Sequence, residues 1–134
     1  MANAWYAKGK EKQLSGSINL VSDTIKVMLV KNTYPQALAT DEFVSDISAY
    51  RLNTDQTLGA KSVTGGVFDA GDVTYSAVTA GDTSEGVVIY KDTGSPATSP
   101  LLMYIDTITG FPLATNGGDI SVQWDNGSYK IFSL

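Results

Sequence analysis

Apolar residues along the chain fall into two kinds of stretch, uninterrupted runs and strict alternations. Ile25 to Lys31 reads Ile-Lys-Val-Met-Leu-Val-Lys between Ser22-Asp23 and Asn32. It is rich in β-branched residues and too short for an ordinary helix, so it predicts a central strand. Gly86 to Lys91 is a second run, matched by Leu101 to Ile105. The two predict a long hairpin with a mobile tip over Asp92 to Pro100, where Gly94, Pro96 and Pro100 punctuate the chain. Alternation marks Val67, Phe68, Val73 and Tyr75 on either side of the Asp69-Ala70-Gly71-Asp72 turn, and Gly65-Gly66 predicts the turn of a strand pair.

Alternation is clearest near the end of the chain. Ile120, Val122 and Trp124 interleave with Ser121 and Gln123 ahead of Asn126-Gly127. Asn-Gly favours a two-residue type I′ turn because both positions must accept positive φ. A hairpin on that turn would set Asp125 against Ser128, Trp124 against Tyr129, Gln123 against Lys130 and Val122 against Ile131. The in-phase position of Trp124 predicts a core residue.

Helical signals are few. Lys8 to Leu14 predicts a short helix that Gly9 weakens by about 1 kcal/mol relative to Ala. Thr40 to Ile47 offers a cap, acids in the first turn and Phe43 and Ile47 four apart, which fits one or two helical turns. Ala49 to Leu58 suits a strand or a loop equally, and Gly59 to Thr64 extends again. The pattern predicts seven or eight short strands in one domain, residues 1–134, with an N-terminal arm over 1–15. Neither a repeat period nor a linker appears. The expected fold is all-β: a β-sandwich of jelly-roll type, or alternatively immunoglobulin-like, with one or two short helices.

Composition sharpens this picture. Asp outnumbers Glu eleven to three, and Ser with Thr supplies 27 of 134 residues, a bias toward turns and strands over helices. With no cysteine, packing alone must hold the domain. A net charge of −5 argues against direct nucleic-acid binding, which needs a basic face. Lys8, Lys10 and Lys12 do crowd the start, with Glu11 among them, and read as a solvated helix or arm. No stretch approaches a membrane span and no secretory h-region follows Met1, so a soluble protein made in the cytoplasm is expected.

Candidate chemistry is sparse. The absence of histidine removes Ser-His and Cys-His nucleophile pairs and the commonest general base near neutral pH. Glu42 and Asp46, four apart on a helical turn, are the carboxylate pair from which acid–base work could be imagined, although two acids on one turn usually form a solvated face. Asp69, Asp72, Asp119 and Asp125 stand within two residues of a glycine and suggest calcium ligands less well than ordinary turns. The chain is expected to be non-enzymatic, with no metal and no cofactor. Trp5 and Tyr6 followed by Lys8, Lys10 and Lys12 form the candidate partner interface, an arm that either docks on a partner subunit or folds back on its own sheet.

Several segments in order, Trp5-Tyr6-Ala7-Lys8-Gly9-Lys10-Glu11, Gly16-Ser17-Ile18, Asp23-Thr24-Ile25-Lys26-Val27, Glu42-Phe43, Ile89-Tyr90-Lys91-Asp92-Thr93-Gly94, and Asn116 to Ile120 through Trp124-Asp125-Asn126-Gly127, resemble a group of small virion proteins of tailed bacteriophages. The resemblance runs nearly end to end and carries no catalytic motif. It implies a capsid cement or decoration protein that assembles in the host cytoplasm, resides in the virion capsid and binds the major capsid protein or other virion proteins as a homo-oligomer, a dimer or trimer. A tail, head-completion or fibre-associated protein fits the same composition. So does a carbohydrate- or receptor-binding module using Trp5, Tyr6, Tyr90, Tyr104 or Phe111.

Overall fold

The two uninterrupted apolar runs lie side by side in one sheet. In the computed structural model, which describes residues 3–108, 110–124, 127 and 130–133, the chain begins with β1 (Ala4–Trp5) and α1 (Ala7–Leu14), then β2 (Ile25–Lys31). Next come α2 (Val44–Ile47), a 3-10 turn at Ser48–Tyr50, β3 (Arg51–Thr57), β4 (Ser62–Thr64), β5 (Val67–Asp69) and β6 (Val73–Tyr75). β7 (Thr83–Lys91), β8 (Leu101–Ile105), β9 (Leu113–Ala114), β10 (Ile120–Val122) and β11 (Phe132–Ser133) complete it. The fold is all-β: among the described residues every strand pair is antiparallel, and the α-helices are two short ones.

The main sheet has the order β1-β8-β7-β2-β3, with β9 taking up the edge of β7 beyond the end of β8. β2 and β7 pair from Ile25↔Lys91 to Val30↔Gly86. Their interiors are buried on both faces, which is why they carry no polar alternation. Each such aliphatic side chain contributes about 1.5–3 kcal/mol by leaving water.

One face of this sheet is covered by a second β layer. β10 pairs with β6, and β11 and β4 flank β5. Phe68, Val73, Tyr75, Ile120, Val122, Trp124, Ile131 and Phe132 pack there in one cluster with Ile25, Val27, Leu29, Val87 and Ile89. The β4–β5 hairpin turns on Gly65 and Gly66 as expected, both at positive φ (60° and 78°).

A break in the ladder helps dock this layer. Val27 opposes Gln56 but Leu29 opposes Leu52, so β3 carries extra residues at a bulge, among them Asn53 at φ 69°. Two residues before Val27, Ile25 gives its carbonyl to Leu58 N on this edge. At the bulge the Val27 carbonyl instead accepts the buried Tyr75 hydroxyl at 2.7 Å. Asn53 Nδ2 donates to Ser76 O at 2.8 Å and ties the bulge to the end of β6.

The closing hairpin is corrected. Val122 pairs with Val73, while Ile131 donates its N–H to Phe68 O and Phe132 pairs with Phe68. The expected facing of Val122 on Ile131 and of Gln123 on Lys130 is therefore not formed, because both ends of the segment pair with strands distant in sequence. Asp125 with Ser128 and Trp124 with Tyr129 involve positions outside the described residues. Trp124 is a core residue as predicted. Its backbone N–H donates to Asp72 Oδ1 and its indole N–H to Gly71 O, both at 2.9 Å.

The other face is covered by α2 and the connection between β2 and α2, while α1 is seated along β8. Tyr6, Tyr34, Val44, Ile47, Tyr90 and Tyr104 cluster there with Met28, Val30, Val88 and Leu101. Gly9, which weakens α1 as an isolated helix, is what seats it: a Cβ there would lie 2.5 Å from Leu101 O. The N-terminal segment thus folds back on its own sheet, with β1 on β8 and Tyr6 N donating to Leu102 O. The tip between β7 and β8 is fastened instead of loose. Val44 N donates to Ser99 O and Ser45 N to Pro96 O, so the start of α2 is satisfied by the tip. Thr93 and Ser99 hydroxyls lie 3.2 Å apart within it, and Ser99 Oγ donates to Ser95 O at 2.7 Å.

Candidate partner-binding surface

The five residues of the predicted interface separate by role. Tyr6 is fully buried; its hydroxyl meets that of Tyr34 at 2.6 Å, and Tyr34 donates to Asp41 Oδ2 at 2.9 Å. Burial raises both phenols above their ordinary pKa, so they remain neutral donors. Burial also raises the Asp41 carboxyl, which the Tyr34 hydrogen bond only partly counters. Tyr6 therefore anchors the covering layer and contributes nothing to the surface.

Trp5 points to the opposite face and is half-buried, edge-on to Phe132 with ring centres 4.6 Å apart. Lys8 pairs with Glu11 at 3.2 Å on the helix surface. Lys12 reaches across to Glu42 at 2.7 Å and lies 5.2 Å from the centre of the Phe43 ring. Among the described residues Lys10 has no acidic partner. It lines an open groove of about 270 Å³ together with Trp5, Gln13 and Leu14.

The helix period builds this groove. Lys10, Gln13 and Leu14 stand at i, i+3 and i+4 and share one stripe of α1, beside the ring that β1 presents. Leu14 is 88% exposed, the most exposed of the large apolar residues described. Gln13 Oε1 is shut off from water and meets no donor among the described residues. Gln13 and Leu14 lay outside the sequence-predicted set, although the i, i+3, i+4 spacing from Lys10 was the signal that marks them.

Several of the remaining candidates among the described residues are absorbed into structure. Glu42 precedes α2, so it shares no helical face with Asp46. Asp46 Oδ2 instead accepts the N–H groups of Glu42 and Phe43, both at 2.9 Å, and these bonds hold its carboxyl below the usual range. Asp72 receives Trp124, and Asp119 Oδ1 receives Ala77 N at 2.9 Å. Among the described residues no three acidic or metal-ligating side chains gather in a way that could hold an ion. Tyr90 and Tyr104 are buried in the second cluster, and Phe111 packs partly against the first.

Sequence reading missed the Arg51–Asp55 pair, bidentate at 2.8 and 2.9 Å, with the Tyr90 hydroxyl also donating to Asp55. Asp55 raises the Arg51 pKa, and burial raises that of Tyr90. Residues four apart meet on β3 because the bulge lies between them, and no simple period announces that. Among the described residues no helix is long and apolar enough to cross a membrane. No protein-family model matches the chain, and no curated protein matches it.

Proposed function

We propose that this chain is a non-enzymatic virion structural protein, a capsid cement or decoration protein that binds the major capsid protein and stabilises the phage head. The observation that carries the reading is the α1 surface. An apolar groove with a highly exposed leucine lies on a domain in which Glu42, Asp46, Asp72 and Asp119 are engaged in internal bonds. Such a surface suits protein contact, and repetition on a symmetric lattice gives many weak contacts a large combined effect. The resemblance to small virion proteins, which runs nearly end to end, supports the same role.

Assembly as a dimer or trimer belongs to the proposal and is read by analytical ultracentrifugation. The decisive experiment mixes the purified protein with undecorated expanded capsids of the phage that encodes it. Binding at a fixed stoichiometry with raised heat resistance is expected, and failure to co-sediment sinks the cement role. Labelling within the intact virion separates a capsid-wide position from a tail, head-completion or fibre position. Burial of Tyr90 and Tyr104 removes two of the aromatics on which a carbohydrate-binding reading would stand.

A further inference from the structure

We infer that the α1 groove takes a segment of a partner polypeptide in which a large apolar side chain stands beside a carboxylate. The inference rests on the proposed role only in treating this face as a contact surface. Two features converge on it. Trp5 and Leu14 offer an apolar seat, and Lys10, which lines the same groove, offers a cation with no acidic partner among the described residues. An apolar side chain beside a carboxylate is what a short acidic–apolar peptide segment presents.

Charge selects the occupant. Of the three lysines in this part of the chain, Lys8 is matched by Glu11 and Lys12 by Glu42, whereas Lys10 is matched by no described acid. A carboxylate opposite Lys10 gains a partner at the rim of an apolar contact, where complementary charge fixes orientation. The chain as a whole carries −5, so an acidic segment gains by meeting one of its few cations without an acidic partner. A second copy is a poor occupant: groove against groove about a twofold axis brings Lys10 toward Lys10. A glycan is also poorly served, because one amine and one amide cannot answer a sugar's many hydroxyls.

Selection of random linear 12-residue peptides displayed on a carrier against the full-length protein tests this. Enriched peptides are expected to share a large apolar residue with Asp or Glu within two positions, and their synthetic versions should bind at least tenfold more weakly to Leu14→Asp. Selection against Lys10→Glu should replace the acid with Lys or Arg beside the same apolar residue. Both positions are exposed, and an unchanged thermal midpoint shows that each variant is folded. Absence of a consensus, a consensus without an acid, or a consensus unmoved by Lys10→Glu overturns the inference. So does concentration-dependent self-association of the unmodified protein that Leu14→Asp abolishes, since a second copy is then the occupant. Because capsids are absent here, failure of the cement role and failure of the groove are read separately.

Discussion

The two faces of the main sheet are covered by different means. On one, short strands lie over Ile25, Val27, Leu29, Val87 and Ile89, and the contact is mostly aliphatic and aromatic carbon. On the other, α2 and an irregular connection lie over Met28, Val30 and Val88, with α1 seated beside them along β8, and tyrosines are prominent. A strand layer satisfies much of its backbone through its own ladders, so its buried side chains can be plain hydrocarbon. An irregular layer has no ladder to fix its position. Tyrosine hydroxyls supply that fixing, through Tyr6–Tyr34–Asp41 and through Tyr104, which accepts from Gln36 Nε2 at 3.1 Å. The contrast shows that hydrogen-bonding side chains concentrate where the backbone has fewest regular partners.

The largest effect tests the sheet that both layers share. In Gly86→Ala a Cβ would fall 2.5 Å from Ile105 O and 3.1 Å from the Tyr104 hydroxyl, so β7 and β8 must separate. A loss of about 3 kcal/mol is expected, measured by urea unfolding. Gly9→Ala meets Leu101 O at the same 2.5 Å on the irregular side. It should cost about 1–2 kcal/mol, because the helix gains about 1 kcal/mol from alanine while losing its seat. Equal losses in the two variants would show that α1 is as rigidly placed as a strand.

Hydroxyl removal comes next. Tyr75→Phe strips the Val27 carbonyl of its donor in a dry core and should cost about 1–3 kcal/mol. Tyr6→Phe should cost about 1 kcal/mol, since Tyr34 keeps its bond to Asp41. Its mark should be local: amide hydrogen exchange over residues 34–43 accelerates more than exchange in β2 and β7.

Acid gives a third comparison. Backbone N–H bonds hold Asp23, Asp46 and Asp92 below their ordinary value of 3.8. Each adds stability above the unfolded pKa that disappears as pH falls through the folded one. Asp41 runs the opposite way: its raised folded pKa makes the native state the better proton acceptor, so protonation there adds stability as pH falls. Three against one predicts net acid destabilisation, and Asp46→Asn should flatten the decline of the urea midpoint between about pH 5 and pH 2. A steeper decline in that variant would remove the N–H bonds as the cause. The smallest effect is Lys12→Ala, expected at about 0.5 kcal/mol and screened by salt, since the pair with Glu42 is partly exposed.

Much of the fold was legible where a local period decides it. The β2 run, the β7–β8 pair, the Gly65-Gly66 turn and the α1 helix follow from residue spacing alone. Strand partners were not legible, because Val122 meets Val73 and Phe132 meets Phe68 through contacts that no local turn preference encodes. Strand number was underestimated because β1, β9 and β11 have two residues each, too few to show a period. At the site, Trp5 and Lys10 were found from composition and position. Tyr6 was misplaced because successive residues of a strand point to opposite faces, which separates two adjacent aromatics into core and rim.

The β3 bulge has a consequence for how copies of the chain behave together. A sheet edge with a straight run of free N–H and C=O groups invites another sheet to extend it. Here one edge of the main sheet is the two-residue β1, and the other is β3, bent at Asn53. Neither edge presents a long, regular template. These two edges are therefore poor templates for extending the main sheet, and straightening β3 by deleting the extra residues is expected to turn that edge into a better one.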